Sequence, residues 1–334
     1  MSALFPLEPS PHRPTQPKEL PFHTLSGLRQ PQHYLADPGL VDAVNVALML
    51  RQPLMLTGEP GTGKTVLAWS LAWELGLEPP FVFETKSTSQ ARDLFYVYDT
   101  LGRFAAKELR ADAGQAKDYI NYSGLGAAIV LTNSPDAVAD ILPEGFSHRQ
   151  KRRSVVLIDE VEKAPRDFPN DILNEIERMY FRIPELGNRR VEADEEFSPI
   201  VVMTNNSERS LPDAFLRRCI YYNIPFPNAE RLTDIVIARL PEFAASAPNV
   251  ALSHDAIDFL LYIRRDSVNL DKRPGTAELL NWLSAIMKLG GKANAPLNQQ
   301  LGLASRAAVA LAKTSGDQAR IGDLLRSWNG PSGT

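Results

Sequence analysis

Short apolar runs alternate with segments of helical periodicity along the first two thirds of the chain. Four of these runs predict buried strands: Leu54–Thr57, 81–83, 155–158 and 200–203. Residues 66–75 show helical periodicity between the first two runs, and Gly76 is expected to end that helix. Runs of about four apolar residues separated by helices are typical of a parallel sheet covered on both faces. The pattern therefore predicts an α/β fold with a mainly parallel sheet.

A further helix is predicted before the first strand. Asp37 followed by Pro38 is a typical helix start, because aspartate caps the first turn and proline fits the first helical position. Val41, Val44 and Leu48 follow at helical spacing, so we expect them to face the core.

Two segments interrupt the alternation of strands and helices. Residues 86–153 are less regular and contain aromatic residues such as Phe95 and Tyr96, so we interpret them as an insertion in the core. Residues 180–192 resemble a β-hairpin with Gly187-Asn188 at its turn.

Strand signals end after residue 227, and the rest of the chain shows only helical signals. Four helical segments are predicted: 229–240, 254–265, 276–289 and 297–327. We expect Asn228, Ser253 and Thr276 to cap the first three, and Gly290-Gly291 to end the third.

Three regions are predicted in all: an arm at 1–33, an α/β core at 34–227 and an α-helical domain with a C-terminal helix at 228–334. The first 31 residues contain seven prolines, which lack the N–H that helices and central strands need. We therefore expect an extended arm. A flexible tail and an arm docked on a neighbouring subunit fit this composition equally well.

Composition and charge exclude several classes of protein. With 44% hydrophobic and 23% charged residues, the 334-residue chain is not a disordered protein. The 36 basic and 40 acidic residues give a net charge of −4, which does not favour nucleic acid as a partner. Cys219 is the single cysteine, so neither an internal disulfide nor a multi-cysteine metal site is possible. With no apolar run of membrane-spanning length and no signal core, we expect a soluble, cytoplasmic protein.

A complete phosphate-binding motif lies between the first strand and the helix that follows. The pattern G-x-x-x-x-G-K-S/T is matched by Gly58, Glu59, Pro60, Gly61, Thr62, Gly63, Lys64 and Thr65. The glycines let backbone N–H groups converge on an anion, and the helix N-terminus adds partial positive charge. We expect Lys64 to reach the β- and γ-phosphates and Thr65 to bind Mg²⁺. A glycine-rich turn without a ligand is the alternative, and the strand and helix on either side disfavour it.

Two acids, Asp159 and Glu160, directly follow the third strand. Burying them unpaired is costly, so they are expected at the carboxyl edge of the sheet, where ligands bind in such folds. Asp159 is predicted to hold Mg²⁺, directly or through water, and Glu160 to orient the attacking water. A helix-capping pair is the alternative interpretation.

Together with the phosphate-binding motif, four segments resemble the AAA+ ATPases of the MoxR type: 155–164, 168–171, 211–219 and 309–314. The resemblance runs from about residue 33 to 327. It implies a five-stranded AAA+ core with a helix-2 insert at 86–153, a pre-sensor hairpin at 180–192 and an α-helical lid. It also implies ATP hydrolysis with Mg²⁺ in a ring, commonly a hexamer, that remodels, activates or chaperones a partner such as a von Willebrand A-type protein.

The same resemblance assigns roles to three polar positions. Asn206 matches the sensor-1 asparagine, with Asn205 as the alternative one residue earlier. Arg217 and Arg218 match the arginine finger that enters a neighbouring subunit's site, and Arg218 is favoured; the alternative is a surface pair capping a helix. Sensor 2 departs from the family, because no arginine lies inside the helix after residue 275.

Weaker signals have simpler interpretations. The basic run 148–153 is expected to be a solvated loop, and Trp69 and Trp73 are expected to pack in the core. Residues 99–102 imitate a GTPase motif, but no guanine-reading motif accompanies them, so ATP is preferred over GTP.

Three functions remain open at this point. The first is an ATPase that works on a partner protein, and the second is an assembly switch gated by ATP, in which hydrolysis only resets the state. A nucleic-acid motor is weaker because of the charge balance.

Overall fold

The structure, a computed structural model, describes residues 31–108, 114–206, 211–244 and 251–328. The chain divides into two compact units, one at 34–225 and a second that combines the residues from 226 onward with those before 34. Most of the predicted arm lies outside the described residues, and Pro31–His33 form a 3₁₀ turn. Among the residues described, no helix is both long enough and apolar enough to span a membrane.

The first unit is built on a five-stranded parallel sheet, which confirms the predicted α/β fold. The strands of the unit, in chain order, are β1 Leu54–Thr57, β2 Phe81–Glu84, β3 Tyr96–Tyr98, β4 Ile120–Tyr122, β5 Val155–Asp159, β6 Tyr180–Ile183, β7 Arg189–Glu192, β8 Ile200–Thr204 and β9 Ile220–Asn223. The order in the main sheet is β2-β5-β8-β1-β9, and every neighbouring pair is parallel. The sequence did not locate β9, because its residues are only partly buried and lack a continuous apolar run.

Helices cover both faces of this sheet. Those of the first unit are α1 Pro38–Leu50, α2 Lys64–Glu74, α3 Thr100–Glu108, α4 Gly124–Thr132, α5 Pro135–Val138, α6 Phe168–Asp171, α7 Leu173–Arg178 and α8 Asp213–Leu216. Because successive strand residues point to opposite faces, Leu56 packs with α1 and α2 while Met55 joins the core on the other side. Both faces are therefore dry, which explains the short uninterrupted apolar strands.

The core-facing sides of α1 and α2 match the predicted ones only in part: Val44 and Leu48 do pack against the core as expected. On α1 the buried residues are Leu40, Ala43 and Ala47, whereas Val41 is 44% exposed. On α2 the core is formed by Leu67, Ala68, Leu71 and Ala72. Trp73 points away from that stripe and is 59% exposed, so its prediction as a core residue is wrong.

The described residues of the 86–153 segment form more regular secondary structure than the sequence pattern predicted. It contains the antiparallel pair β3–β4 and the helix α4, which packs on β2 and β5. Every residue of α4 after Gly124 is buried, so no amphipathic period marks it in the sequence. A Cβ on Gly126 would lie 1.8 Å from the carbonyl oxygen of Phe95, so only glycine permits this close packing.

The predicted hairpin at 180–192 is present as β6 and β7, which pair antiparallel. Gly187 and Asn188 both take the left-handed conformation at its turn.

In its described residues the second unit contains helices and no strand. Its helices are α9 Ala229–Arg239, α10 Pro241–Ala244, α11 Ala251–Ile263, α12 Thr276–Lys288, α13 Leu301–Ala307 and α14 Ser315–Arg326. Its own core is centred on Phe259, whose ring contacts those of Trp282 and Trp328. The single helical stretch expected at 297–327 is interrupted between α13 and α14.

Two of the three predicted caps in this unit are wrong. Asn228 does cap α9, since its side chain accepts a hydrogen bond from the Arg231 N–H. Ser253 lies inside α11 and is fully buried, and α12 is capped by Gly275 rather than by Thr276. The polar residue that the sequence offered as a cap lies inside α11 and is the first helical residue of α12.

Candidate functional site

The loop 58–63 joins β1 to α2 at the carboxyl edge of the sheet, and its conformation requires glycine. Gly58, Gly61 and Gly63 have φ angles of 138°, 82° and 89°, which other residues rarely adopt. A Cβ on Gly58 would lie 2.7 Å from the carbonyl oxygen of Ile224. The left-handed Gly63 is the N-cap of α2, so the first N–H groups of that helix open toward the loop. This geometry is that of an anion cradle.

Lys64 begins α2 and its side chain folds back over the loop. Its Nζ donates hydrogen bonds to the carbonyl oxygens of Gly58 at 2.8 Å and Glu59 at 2.9 Å. Burial lowers the pKa of Lys64, and the negative charges of Glu162 and Asp159 oppose that change. The ammonium group therefore binds two carbonyls of the loop and lies near several acids.

Asp159 and Thr65 meet beside this loop. The Thr65 hydroxyl donates to the Asp159 carboxylate, at 3.1 Å from Oδ1 and 3.3 Å from Oδ2. The pair joins the start of α2 to the end of β5, so two residues 94 positions apart in sequence share one site. A hydroxyl and a carboxylate are both hard oxygen ligands, and they fit a Mg²⁺ ion that takes its remaining ligands from water and phosphate.

Thr204, the last residue of β8, is a member of the site that the sequence analysis missed. Its hydroxyl donates to Asp159 Oδ1 at 2.6 Å and accepts the backbone N–H of Glu160 at 2.8 Å. One side chain thus fixes the positions of both acids. The sequence feature that could have identified Thr204 is its position at the end of a buried strand, directly before Asn205-Asn206.

Glu160 occupies a strained turn immediately after β5. Its backbone lies in the left-handed region at φ 56°, a conformation that costs a non-glycine residue about 1 kcal/mol or more. The Glu160 side chain accepts a hydrogen bond from Asn206 Nδ2 at 3.1 Å and forms an ion pair with Lys163. The structure therefore brings Asn206 to the acids, whereas Asn205 is 4% exposed and buried.

Glu162 is a third acid near the cradle, also missed from the sequence. It is 7% exposed, and its Oε2 has no hydrogen-bond partner among the residues described. Among the acids near Lys64, Glu162 has the largest effect in raising the pKa of that lysine.

The structure does not bring Arg217 and Arg218 to this cluster. They directly precede β9, and because β9 runs parallel to β1 they lie at the opposite, amino edge of the sheet. Arg218 donates to Glu177 Oε2 at 2.9 Å and to the Ala214 carbonyl at 2.9 Å. Arg217 is exposed, and within the described part of the chain its side chain has no hydrogen bond or ion pair.

The side chains at the site limit the kind of metal ion that could bind there. Within the described ranges, no three histidine, cysteine, aspartate or glutamate side chains group as a metal site. The Thr65–Asp159 pair suits an ion that a bound phosphate brings with it, rather than a resident metal.

One family model matches part of the chain. The sequence model of the AAA domain (dynein-related subfamily) matches residues 53–219, half of the chain. No curated protein sequence matches the chain.

Solved structures similar to this chain include RuvB of Thermotoga maritima, described as a Holliday junction branch migration motor. The identity is 15% and the TM-score 0.42, over 81% of this chain and 66% of that one. A mutant of the same RuvB gives 14% identity and a TM-score of 0.45, over 84% and 72% of the two chains. The chain thus spans about two thirds of the RuvB chain that is described as a motor.

The matched range of the family model contains the glycine-rich loop, the acids after β5 and the arginines before β9. The chain belongs to the dynein-related AAA domain family, and so to the AAA+ ATPases of the P-loop NTPase superfamily.

Proposed function

We propose that the chain is a Mg²⁺-dependent ATPase of the MoxR type, which assembles as a ring and remodels, activates or chaperones a partner protein. The observation that carries this proposal is the joining of Thr65, Asp159 and Thr204 at the end of the glycine-rich loop. These contacts support a metal-binding role for Thr65 and Asp159 and a phosphate-binding role for the loop beside them. In this proposal residues 58–65 bind the nucleotide and Thr65 and Asp159 hold the Mg²⁺, which neutralises phosphate charge.

Lys64 has to change partners when a nucleotide binds. In the structure its ammonium is occupied by two loop carbonyls, which are neutral acceptors. A phosphate oxygen is a charged acceptor and forms the stronger hydrogen bond. When Lys64 exchanges these carbonyls for a phosphate oxygen, the loop is released. Nucleotide binding is then coupled to a local movement of the loop.

We assign Glu160 to orient the attacking water. Asn206 helps to hold that water in place. The carboxylate sits at the carboxyl edge of the sheet and one of its oxygens already contacts Asn206. Arg217 or Arg218 of a neighbouring subunit completes the site in this proposal, with Arg218 favoured. Each active site then forms between two copies of the chain.

A second candidate function is an assembly switch that ATP loads and slow hydrolysis resets. The ion pair between Glu160 and Lys163 favours it, because the cation occupies a carboxylate oxygen that would otherwise be open to water. Both side chains are partly exposed, at 37% and 55%, so the pair is easily broken when a neighbour arrives.

The partner is proposed to be a protein, such as one of the von Willebrand A type, in the cytoplasm. The 86–153 segment and the β6–β7 hairpin are the surfaces we assign to it, and the ring is proposed to be a hexamer. The net charge of −4 does not support a nucleic-acid partner.

The experiment that tests the proposed function uses Glu160→Gln, which keeps the cradle intact and removes the base. We expect the variant to bind ATP but release no phosphate, and to retain its partner in a pull-down with ATP and Mg²⁺. Wild type without nucleotide is the control. Phosphate release at the wild-type rate would contradict the role of Glu160.

A further inference from the structure

A cavity of about 560 Å³ lies at the carboxyl edge of the sheet, beside the acids that follow β5. Its lining comes from residues 161–170, which lead from β5 into α6, and from Leu211 and Pro212, which precede α8. Residues 58–65 and Asp159, to which the proposed function assigns the nucleotide and its metal, do not line it. Ligand-binding cavities have volumes of about 300–1,000 Å³, so a second ligand can be accommodated here.

The buried part of the lining is mainly apolar. It includes Val161, Ala164, Pro169 and Leu211. Three of the lining residues are prolines, which have no N–H to donate. The cavity therefore offers packing contacts to an apolar group and few backbone donors to an anion.

Glu162 is the exception in this apolar wall. Among the described lining residues it alone is both charged and buried, and no hydrogen bond or ion pair with a described residue involves its carboxylate. Its Oε2 is fully buried. Buried polar groups are nearly always paired, because an unpaired carboxylate is costly to bury. An unpaired carboxylate in the wall of a cavity points to a cationic ligand.

The basic residues near the cavity do not supply this cation. Lys64 donates to two carbonyls of the glycine-rich loop, and Lys163 forms an ion pair with Glu160. Arg166 lines the cavity but is exposed, and the adjacent, equally exposed Asp167 offsets its charge. Of the charges in the described lining, the buried carboxylate is the one left without a counterpart.

Glu162 also acts on the phosphate-binding loop. Burial lowers the pKa of Lys64, and Glu162 opposes that change more than any other acid near it. The carboxylate is therefore within electrostatic range of the ammonium that the proposed function assigns to phosphate. A negative charge at this distance repels a triphosphate, and a cation paired with it removes that repulsion.

We propose that this cavity binds a lysine or arginine side chain of the partner protein, with its cationic group on Glu162 and its aliphatic stem on the buried apolar wall. The inference rests on the proposed function, which supplies both the nucleotide and the partner. Long basic side chains suit such a place, because their stems pack against apolar surface. The bound cation favours the nucleotide, and by linkage the nucleotide favours the cation to the same extent. The cavity thus makes the loading of ATP depend on the partner.

The test uses two labelled tripeptides, blocked at both ends, as probes. One has arginine between two leucines, and the other has citrulline, which has the shape of arginine without its charge. Fluorescence anisotropy measures their binding to the full chain. We expect wild type to prefer the arginine peptide about ten-fold or more, and Glu162→Gln to bind both peptides alike. The matched control is Asp171→Asn, which removes a charge from α6 outside the cavity and should behave as wild type.

Nucleotide titration with and without the arginine peptide measures the coupling. At saturation the peptide should tighten nucleotide binding to wild type about five-fold or more and leave Glu162→Gln unchanged. Glu162→Gln should melt no lower than wild type, because it loses an unpaired buried charge. A second variant, Asn170→Trp, narrows the exposed rim of the cavity and keeps Glu162. It should weaken binding of the arginine peptide as well.

Equal binding of the two peptides by wild type, or the same preference for arginine in Glu162→Gln, would overturn the inference. Nucleotide affinity that does not respond to the bound arginine peptide would also overturn it. An affinity for this peptide that falls as the protein concentration rises would show that a second copy fills the cavity, and would overturn the assignment to a partner protein. Absence of nucleotide binding by wild type, with the preference for arginine intact, would instead contradict the proposed function.

Discussion

The hydroxyl of Thr204 lies 2.6 Å from Oδ1 of Asp159 and donates a hydrogen bond to it. The same oxygen accepts the backbone N–H of Glu160. The end of β8 therefore positions both acids that follow β5, although 44 and 45 residues separate them from Thr204 in the sequence. Thr204 is buried at 1% exposure, so water does not replace these contacts.

Thr204→Val should lower kcat more than it changes the affinity for nucleotide. Valine has the shape of threonine but leaves the Glu160 N–H without its acceptor and removes one of the two hydroxyls that donate to Asp159, a loss of about 1–3 kcal/mol. If that loss falls on the transition state, kcat drops about 10- to 100-fold. Steady-state phosphate release and nucleotide titration measure the two effects. Thr204→Ser, which keeps the hydroxyl, is the control and should retain most of the activity, whereas equal losses in both variants would argue for a packing role.

Lys163→Ala should raise the rate of hydrolysis at saturating ATP if the ion pair with Glu160 restrains the base. Removal of the cation frees one carboxylate oxygen, because Asn206 contacts the other. Exposed pairs are weak, about 0.2–1 kcal/mol, so we expect an increase of about five-fold or less. Lys163→Arg should behave as wild type. A large fall in rate would instead show that Lys163 assists the reaction.

The arginine finger can be tested by mixing two inactive variants. A double variant of Arg217→Ala and Arg218→Ala keeps its own acids, and Glu160→Gln keeps its arginines. If the arginines act on a neighbour, an equal mixture should recover about a quarter of the wild-type activity, because one site in four has both parts. No recovery in assembled mixtures would place the arginines outside the neighbour's site.

Of the two arginines, Arg218 is held by Glu177, and both side chains of that pair are partly exposed. Such a contact is weak enough to exchange for a phosphate. Single variants in the same mixing assay show which arginine contributes.

The sequence predicted the parts of the fold that depend on local patterns. The glycine-rich loop was visible because its conformation needs particular residues at fixed spacing, and the central strands were visible because they are buried on both faces. In contrast, β9 is an edge strand with half-exposed residues, and α4 is buried on all sides. Neither has the period on which sequence interpretation relies.

The parts that were missed depend on tertiary contacts. Thr204 joins the site only because β8 lies beside β5, and no spacing in the sequence shows this neighbourhood. Trp73 was expected in the core because large aromatic residues usually pack there. Its exposure follows from the stripe of Leu67, Ala68, Leu71 and Ala72, which turns position 73 outward.

The most direct test of the account is calorimetric titration of the wild-type chain with ATP and Mg²⁺, with Lys64→Met as the paired control. The variant removes the buried ammonium, which we expect to move from the carbonyls of Gly58 and Glu59 to phosphate. The account predicts saturable heat for wild type, weaker binding when Mg²⁺ is chelated, and a loss of at least 100-fold in affinity for the variant, about 2.7 kcal/mol. No heat with wild type, or equal affinity in the two proteins, would contradict the claim that this loop binds the triphosphate.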